Sequence, residues 1–443
     1  MTGKRNISRR QFFKKAAGAA AGAVSFPYFV PSSAVGKAGY VAPSNRIVMG
    51  FIGVGTMGRY DMEMFMNQPD TQVAAVCDVQ RKVREAARSR ADEYYGKKVC
   101  ADYNNFWEVT ERDDIDAISI ASLDSWHVLH ALSAVRAGKD VKVQKPLGMS
   151  IEDIKVLRSA VHRHGRVFQF GTQQRSSREF RYACELVRNG RIGKLHTIEV
   201  GVHAGGPEER YGKKTYTPMP VPEGIDYDLW VGPSPMSPYT DARLIYPHWF
   251  HISDYSLGYV SGWGIHHIDI AQWGSGNENT GPIDVEGTAV YPGDDALCDN
   301  PVSWDVNFKY ADGVRMRFTG AGPGFAGVWS GIKFIGTKGW VFVNRGQIRA
   351  EPEKLLQETI GPDEIHLIVS DHHERNFLDC VESRAETICP IDVAVRSDTV
   401  CQLAWIAFTL GRKLKWDPEK EEFAGDAEAN SMLTRAKRSP WHL

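Results

Sequence analysis

The spacing Gly53-x-Gly55-x-x-Gly58 constrains this chain more than any other feature. It follows an apolar run, Ile47–Ile52, and opens a helical segment, Met57–Met66. In such a strand–turn–helix unit the first glycine permits the tight turn and the second lets a pyrophosphate approach the backbone. The third allows the helix to pack closely on the strand. Free N–H groups at the helix start are natural donors to phosphate. Gly53, Gly55, Thr56, Met57 and Gly58 are therefore candidate cofactor contacts. Asp78 lies 20 residues beyond Gly58, at the end of the next strand-like run, Val73–Cys77. A carboxylate there suits ribose hydroxyls and repels a 2′-phosphate, which favours NAD over NADP; Arg81, close by, is the one feature that leans toward NADP.

From Arg46 onward strands and helices alternate. Strand-like runs at Ala117–Ala121, Val141–Gln144 and Val167–Gly171 are separated by helical stretches at Val79–Tyr95, Trp126–Ala137 and one capped by Ser150. Asp153, three residues after Ser150, completes a variant of the capping box. This alternation predicts an α/β fold with a doubly wound parallel sheet over residues 45–170. After about residue 193 the pattern changes. Leu195–Val202, Thr288–Tyr291, Trp304–Tyr310, Val314–Phe318, Ile332–Ile335 and Trp340–Val343 read as strands between Gly, Asp and Pro turns. They predict an open, mainly antiparallel sheet over 171–370, used for substrate and for assembly. Residues 204–262, rich in Pro, Tyr and Trp, read as a long ordered loop region, a type that is usually functional. Helices His372–Ser383 and Ser397–Arg412 return in a C-terminal segment, 371–443, expected to pack partly on the first domain.

The N-terminus carries Ser8-Arg9-Arg10-Gln11-Phe12-Phe13-Lys14, within a basic stretch holding six Lys or Arg and no acid in residues 1–15. Ala16–Val24 is weakly apolar and too short for the ~20 residues of a membrane span. With Ser32-Ser33-Ala34 as a small-residue cleavage site, residues 1–34 read as a twin-arginine signal, predicting export of a folded protein to the periplasm and no membrane span after cleavage. A nucleotide-binding protein sent there has no free nucleotide pool, so its cofactor is expected to be tightly bound. A net charge of −1 excludes a basic surface for nucleic acid. Seven scattered Cys show no metal spacing, and packing suits them better than a Cys380 pairing with Cys389 or Cys401.

Gln144-Lys145-Pro146 closes the strand Val141–Gln144, at the sheet edge where open α/β folds bind ligands. A lysine there can bind a substrate hydroxyl and move its proton, although a solvated lysine before a turn-forming proline is an equal reading. Ser122 and His127, after the strand Ala117–Ala121, are candidate cofactor contacts with Gln144. Gly262-Trp263-Gly264-Ile265-His266-His267-Ile268-Asp269 enters a helix over Ile265–Trp273. His266 is a candidate base, and consecutive helical positions diverge too far for a His266, His267 and Asp269 metal site. Gln173, Gln174 and Arg175 are expected at the same rim, where amides and a guanidinium suit a hydroxyl-rich ligand. Tyr246, Trp249, Phe250, Tyr255, Tyr259 and Trp263 are aromatic partners for a sugar face, or the packing of a long loop.

The glycine turn, Asp78, the Lys-Pro step and the Gly-x-His-His-x-Asp helix together resemble the glucose–fructose oxidoreductase/inositol dehydrogenase (Gfo/Idh/MocA) family over residues 45–420. Asp226-Tyr227-Asp228-Leu229-Trp230 and Leu410-Gly411-Arg412-Lys413-Leu414 resemble its secreted bacterial branch. The resemblance implies hydride transfer between a sugar or polyol carbon and nicotinamide, with Lys145 and His266 catalytic. It also implies a homodimer or homotetramer built through the second sheet, and a carbohydrate pocket to which Gln173, Gln174, Arg175, Asp254, Tyr255, Trp263 and His267 contribute. Two positions depart from the family pattern. Gln144 stands for a Glu, and Gly262 stands where the family has an Asp four residues before its His, leaving Asp254 as a substitute carboxylate. That departure brings in a second expectation beside a sugar oxidoreductase: an NAD-dependent glycosidase that oxidises C3 transiently, eliminates, hydrates and reduces with no net redox change. A non-catalytic sugar-binding protein is a third, more distant one.

Overall fold

Six β-strands, all but β3 made almost wholly of buried residues, build the first sheet: β1 (Ile47–Ile52), β2 (Thr71–Cys77), β3 (Ala101–Tyr103), β4 (Ala117–Ile120), β5 (Asp140–Val143) and β6 (Phe168–Phe170). All pair in parallel, in the order β3-β2-β1-β4-β5-β6. Strands covered by helices on both faces read as continuous apolar runs, as Ala74–Cys77 and Ala117–Ile120 do. The order reverses between β1 and β4, and that switch point opens the crevice in which such sheets hold ligands. The computed structural model describes residues 45–203, 216–293, 296–320 and 330–443. The stretch read as a twin-arginine signal, with its expected cleavage site, lies outside them.

The second sheet has nine strands: β7 (Leu195–Val202), β8 (Asp284–Val290), β9 (Ser303–Lys309), β10 (Arg315–Gly320), β11 (Gly331–Gly336), β12 (Gly339–Asn344), β13 (Gln347–Glu351), β14 (Leu414–Asp417) and β15 (Glu422–Phe423). Their order is β13-β12-β11-β7-β10-β9-β8-β14-β15, antiparallel except where β7 meets β10. On β10, Met316 and Phe318 point into the core while Arg315 and Arg317 are exposed, the alternation of a sheet covered on one face. The covering helices are Arg178–Arg188, Gly264–Ser275 and Ile391–Leu410. In the middle one every residue from Gly264 to Gly274 is buried, which explains its lack of a polar face.

Several elements differ from the sequence expectations. The last long helix starts at Ile391, six residues earlier than expected, with Pro390 at its N-cap. Leu414–Asp417 and Glu422–Phe423 extend the second sheet instead of forming a tail. Residues 216–262 hold short helices, Tyr227–Val231, Asp241–Leu244 and Gly258–Gly262, rather than loop alone. The helix His373–Ser383 packs on the first domain: Phe377 meets Phe65 at a ring separation of 6.0 Å, and Arg375 pairs with Asp70 at 2.7 Å. All seven cysteines are free and buried. Ser150 caps the helix Ile151–His164, its hydroxyl accepting from the Asp153 N–H at 3.4 Å. No described helix is long and apolar enough to cross a membrane.

Candidate active site

The three glycines of the first turn do three different things. Gly53 has φ +78°, and a Cβ there would meet the Ala121 carbonyl carbon and the Ser122 nitrogen at 2.6 Å. A Cβ on Gly58 would stand 1.8 Å from the Gly53 carbonyl oxygen, so helix and turn are in direct contact. Nothing lies within 4 Å of a Cβ built on Gly55, which faces open space. That empty cradle, beside the start of the helix Thr56–Met66, is the fit a pyrophosphate needs. Asp78 ends β2 with both carboxylate oxygens held by backbone: the Val54 N–H donates to one at 3.1 Å and the Gln80 N–H to the other at 2.9 Å. Burial raises its pKa. Arg81 turns outward to Glu223, 3.3 Å away, and does not line the cavity. An arginine so occupied, behind a fixed carboxylate, keeps the ribose end suited to NAD.

A cavity of about 580 Å³ runs from this turn to the start of the helix Gly264–Ser275. Thr56, Met57, Ser122, His127, Gln144, Lys145, Gln173, Trp263 and His266 all border it. Behind the wall the Lys145–Pro146 turn is braced twice. His127 sets its ring nitrogens 2.6 and 3.1 Å from the carbonyls of Pro146 and Ser122, and the Leu147 N–H donates to Asp398 at 3.1 Å. Burial keeps His127 neutral, so its single N–H can donate to only one of these two carbonyls. Gln144 donates to the buried Asp61 carboxylate at 3.0 and 3.1 Å, and Asp61 also pairs with Lys142 at 2.7 Å. A glutamate at 144 would face Asp61 with like charge, a physical reason for the amide at this position.

At the far end, burial lowers the pKa of Lys145 and holds His266 well below its ordinary value, each also feeling Arg345. The His266 Nδ1 is buried without a hydrogen-bond partner among the described residues. Phe250 occupies the place of the carboxylate that Gly262 lacks: a Cβ on Gly262 would fall 1.8 Å from the Phe250 ring carbon Cζ. The same ring lies 5.9 Å from the Lys145 Nζ, within cation–π range. Asp254 is no substitute, because it lies off the cavity, beside Asp299 and Arg435.

The carboxyl group that does border this end is Asp124, which sequence reasoning passed over. It follows β4, is buried, accepts from the Ser256 hydroxyl at 2.5 Å and exerts the strongest charge interaction on Lys145. Burial lifts its pKa to about 7. Asp124 and Arg345 stand in loops whose approach to Lys145 is tertiary, so no sequence spacing marks them.

Five expected substrate contacts lie elsewhere, each for a visible reason. Arg175 is clamped by Asp269 at 2.7 and 2.9 Å and by Glu278 at 2.9 Å, a buried ion pair between the helical turn Gln173–Ser176 after β6 and the helix Gly264–Ser275. Gln174 and His267 face each other at 3.3 Å, and His267 reaches Ser330 at 2.7 Å. Tyr255 is buried edge-on against Trp230 at 4.8 Å, and Asp254 contributes its carbonyl to Ser234 at 2.6 Å. Tyr246, Trp249, Phe250 and Trp263 border the cavity, whereas Tyr255 and Tyr259 pack behind it.

A glycine cradle and the fixed Asp78 carboxylate at one end, with Lys145, His266 and Asp124 at the other, define an NAD-binding protein with a second, sheet-built domain. The chain belongs to the Gfo/Idh/MocA oxidoreductase family. Residues 47–172 match its NAD-binding Rossmann fold and residues 178–443 its C-terminal alpha/beta domain. It is 29% identical over 209 residues to a glycosyl hydrolase family 109 protein of Shewanella sp. strain ANA-3, and 28% identical over 209 residues to an alpha-N-acetylgalactosaminidase of Shewanella oneidensis. Each alignment covers 43% of this chain and 44% of the relative, so the chain spans under half the length of the curated relatives it matches. Its fold is shared with the WlbA dehydrogenase of Bordetella pertussis (TM-score 0.62, 15% identity, 84% of this chain and 99% of that one). It is shared equally with an aldose-aldose oxidoreductase of Caulobacter crescentus (TM-score 0.61, 17% identity, 84% and 99%).

Proposed function

We propose that this protein is an exported oxidoreductase that acts on a hydroxyl of a sugar, polyol or glycoside, with NAD held tightly in its first domain. The observation that carries this reading is the convergence of Lys145, His266 and Asp124 at the end of the cavity that starts at the glycine cradle. NAD, when bound, supplies a hydride acceptor and donor. The rest is the work of the chain's own residues. Lys145, its pKa lowered by burial, binds the substrate hydroxyl and takes its proton as the carbon is oxidised. Asp124, with a pKa of about 7, is poised to exchange a proton with that amine. His266 stays neutral and presents a base or hydrogen-bond partner to the neighbouring carbon. Phe250, Trp249 and Trp263 exclude water and offer faces for the sugar ring. The exposed outer face of the second sheet is the proposed route to a homodimer or homotetramer.

A second reading rests on Phe250 in the Gly262 position and on the glycosidase names among the curated relatives. A ketone formed at C3 acidifies the C2 proton. A base such as His266 removes that proton while the C1 leaving group departs, water adds, and the ketone is reduced again. No external acceptor is then needed, which suits a protein outside the cytoplasm. Holoprotein mixed with an aryl glycoside, without added acceptor, separates the two. Phenol release without lasting NADH absorbance marks the glycosidase, and a stable rise in NADH without phenol marks the oxidoreductase. Neither signal, with any glycoside or free sugar, contradicts both.

A further inference from the structure

We infer that Arg345 forms an anion subsite at the substrate end of the cavity, so that the sugar accepted there carries a carboxylate or a sulfate or phosphate ester. This rests on the sugar-binding reading above and narrows its substrate class. Arg345 occupies the two-residue turn between β12 and β13, which brings it from the second sheet to the cavity wall. Asn344 fixes the turn: its amide oxygen accepts from the Arg345 N–H at 2.8 Å, and its amide nitrogen donates to the Ser330 carbonyl at 2.8 Å. The guanidinium carbon sits over the Trp263 ring, 4.9 Å from its centroid, a cation–π contact that holds the group beside the cavity. Trp263 itself stands 5.8 Å from the His266 ring.

No carboxylate among the described residues pairs with this guanidinium. The contrast with Arg175, which holds two carboxylates, shows what this fold does with an arginine whose role is internal. The location is also specific. Lys145, His266 and His267 all feel the Arg345 charge, whereas the cation that acts on Asp78 is Arg84. Arg345 therefore belongs to the substrate end and not to the nucleotide phosphates at the glycine turn. Two acids border the cavity, Asp78 and Asp124. Asp78 serves the nucleotide end, and Asp124, its pKa raised by burial to about 7, is the acid at this end. Arg345 is therefore the permanent cation of the substrate end. A planar guanidinium with free donors matches a carboxylate or an oxyanion ester.

Calorimetric titration of the NAD-loaded protein tests this with glucuronate, galacturonate and mannuronate, each beside its parent hexose and the hexose 6-sulfate and 6-phosphate. At least one anionic sugar is expected to bind about tenfold or more tightly than its neutral parent. A uronate preference identifies a carboxylate, and a sulfate or phosphate preference an ester. Arg345→Ala should bring the ratio of the two dissociation constants to about one, and Arg345→Lys should keep part of it, with both variants retaining NAD and a cooperative melt. Equal binding of neutral and anionic sugars by the unaltered protein, or an undiminished ratio in Arg345→Ala, overturns the subsite while leaving the sugar reading intact. Failure of every sugar of both classes to bind overturns the two together.

Discussion

Gly262 and Phe250 show how one substitution reshapes a site without opening it. A glycine in a catalytic wall leaves room, and here the ring of Phe250 has taken it, close enough that any Cβ at 262 collides with it at 1.8 Å. The neighbouring lysine then sees an aromatic face in place of a carboxylate. Restoring the acid alone should therefore fail. Gly262→Asp is expected to cost about 3 kcal/mol in a urea melt through overpacking and a buried charge. Phe250→Ala/Gly262→Asp should lose less than the sum of the two single changes, because the space is returned. A single Gly262→Asp protein as stable as the parent contradicts the packing. At the same scale, Gln144 and Asp61 explain the second departure from the family pattern: an amide donates to a buried carboxylate, which a glutamate cannot do while ionised.

Among the elements, the loop that leaves β4 carries most of the site's chemistry, from Ser122 through Asp124 to His127. It is tied to distant segments by the Ser256 hydroxyl on Asp124 and by the Ser125 N–H, which donates to the Tyr255 carbonyl at 3.2 Å. Asp124 has a folded pKa of about 7 against an ordinary value of 3.8. The folded protein therefore keeps a proton that the unfolded chain loses, and stability falls as pH rises between those two values. Asp124→Asn removes that slope. Its melting temperature relative to the parent should improve between about pH 4 and about pH 7, while the activity limb near neutrality disappears. A difference that does not change with pH would place the proton elsewhere.

The same elements show what could be read from sequence. β1, its glycine turn, Asp78 and the Lys145–Pro146 step are local patterns with local causes, and they stand within a residue or two of where they were expected. β13 and β14 were missed because Gln347–Glu351 and Leu414–Asp417 are short edge segments whose identity comes from partners far along the chain. The helix Arg178–Arg188 is an amphipathic run, with Phe180, Ala183, Cys184 and Val187 on its buried face, and its period was legible but passed over. Arg175 looked like a rim residue by adjacency to Gln173, and only the fold places Asp269 and Glu278 across from it.

Over the whole molecule, two sheets share one hydrophobic core, and the helices Gly264–Ser275 and Ile391–Leu410 join the wall of the cavity to the covered face of the second sheet. The nucleotide turn lies on one domain, the imidazole and guanidinium come from the other, and Lys145 sits where they meet. That arrangement puts hydride transfer to a retained NAD, with Lys145 as the proton acceptor, at the centre of the proposed function. Its most direct test is rapid-mixing absorbance of the purified holoprotein with a sugar, in the parent and in Lys145→Ala. NAD is expected to be released by denaturation from both proteins, with an NADH signal, transient or lasting, in the parent and none in Lys145→Ala. An NADH signal of parental rate in Lys145→Ala, or folded parent protein that holds no nucleotide, would contradict it.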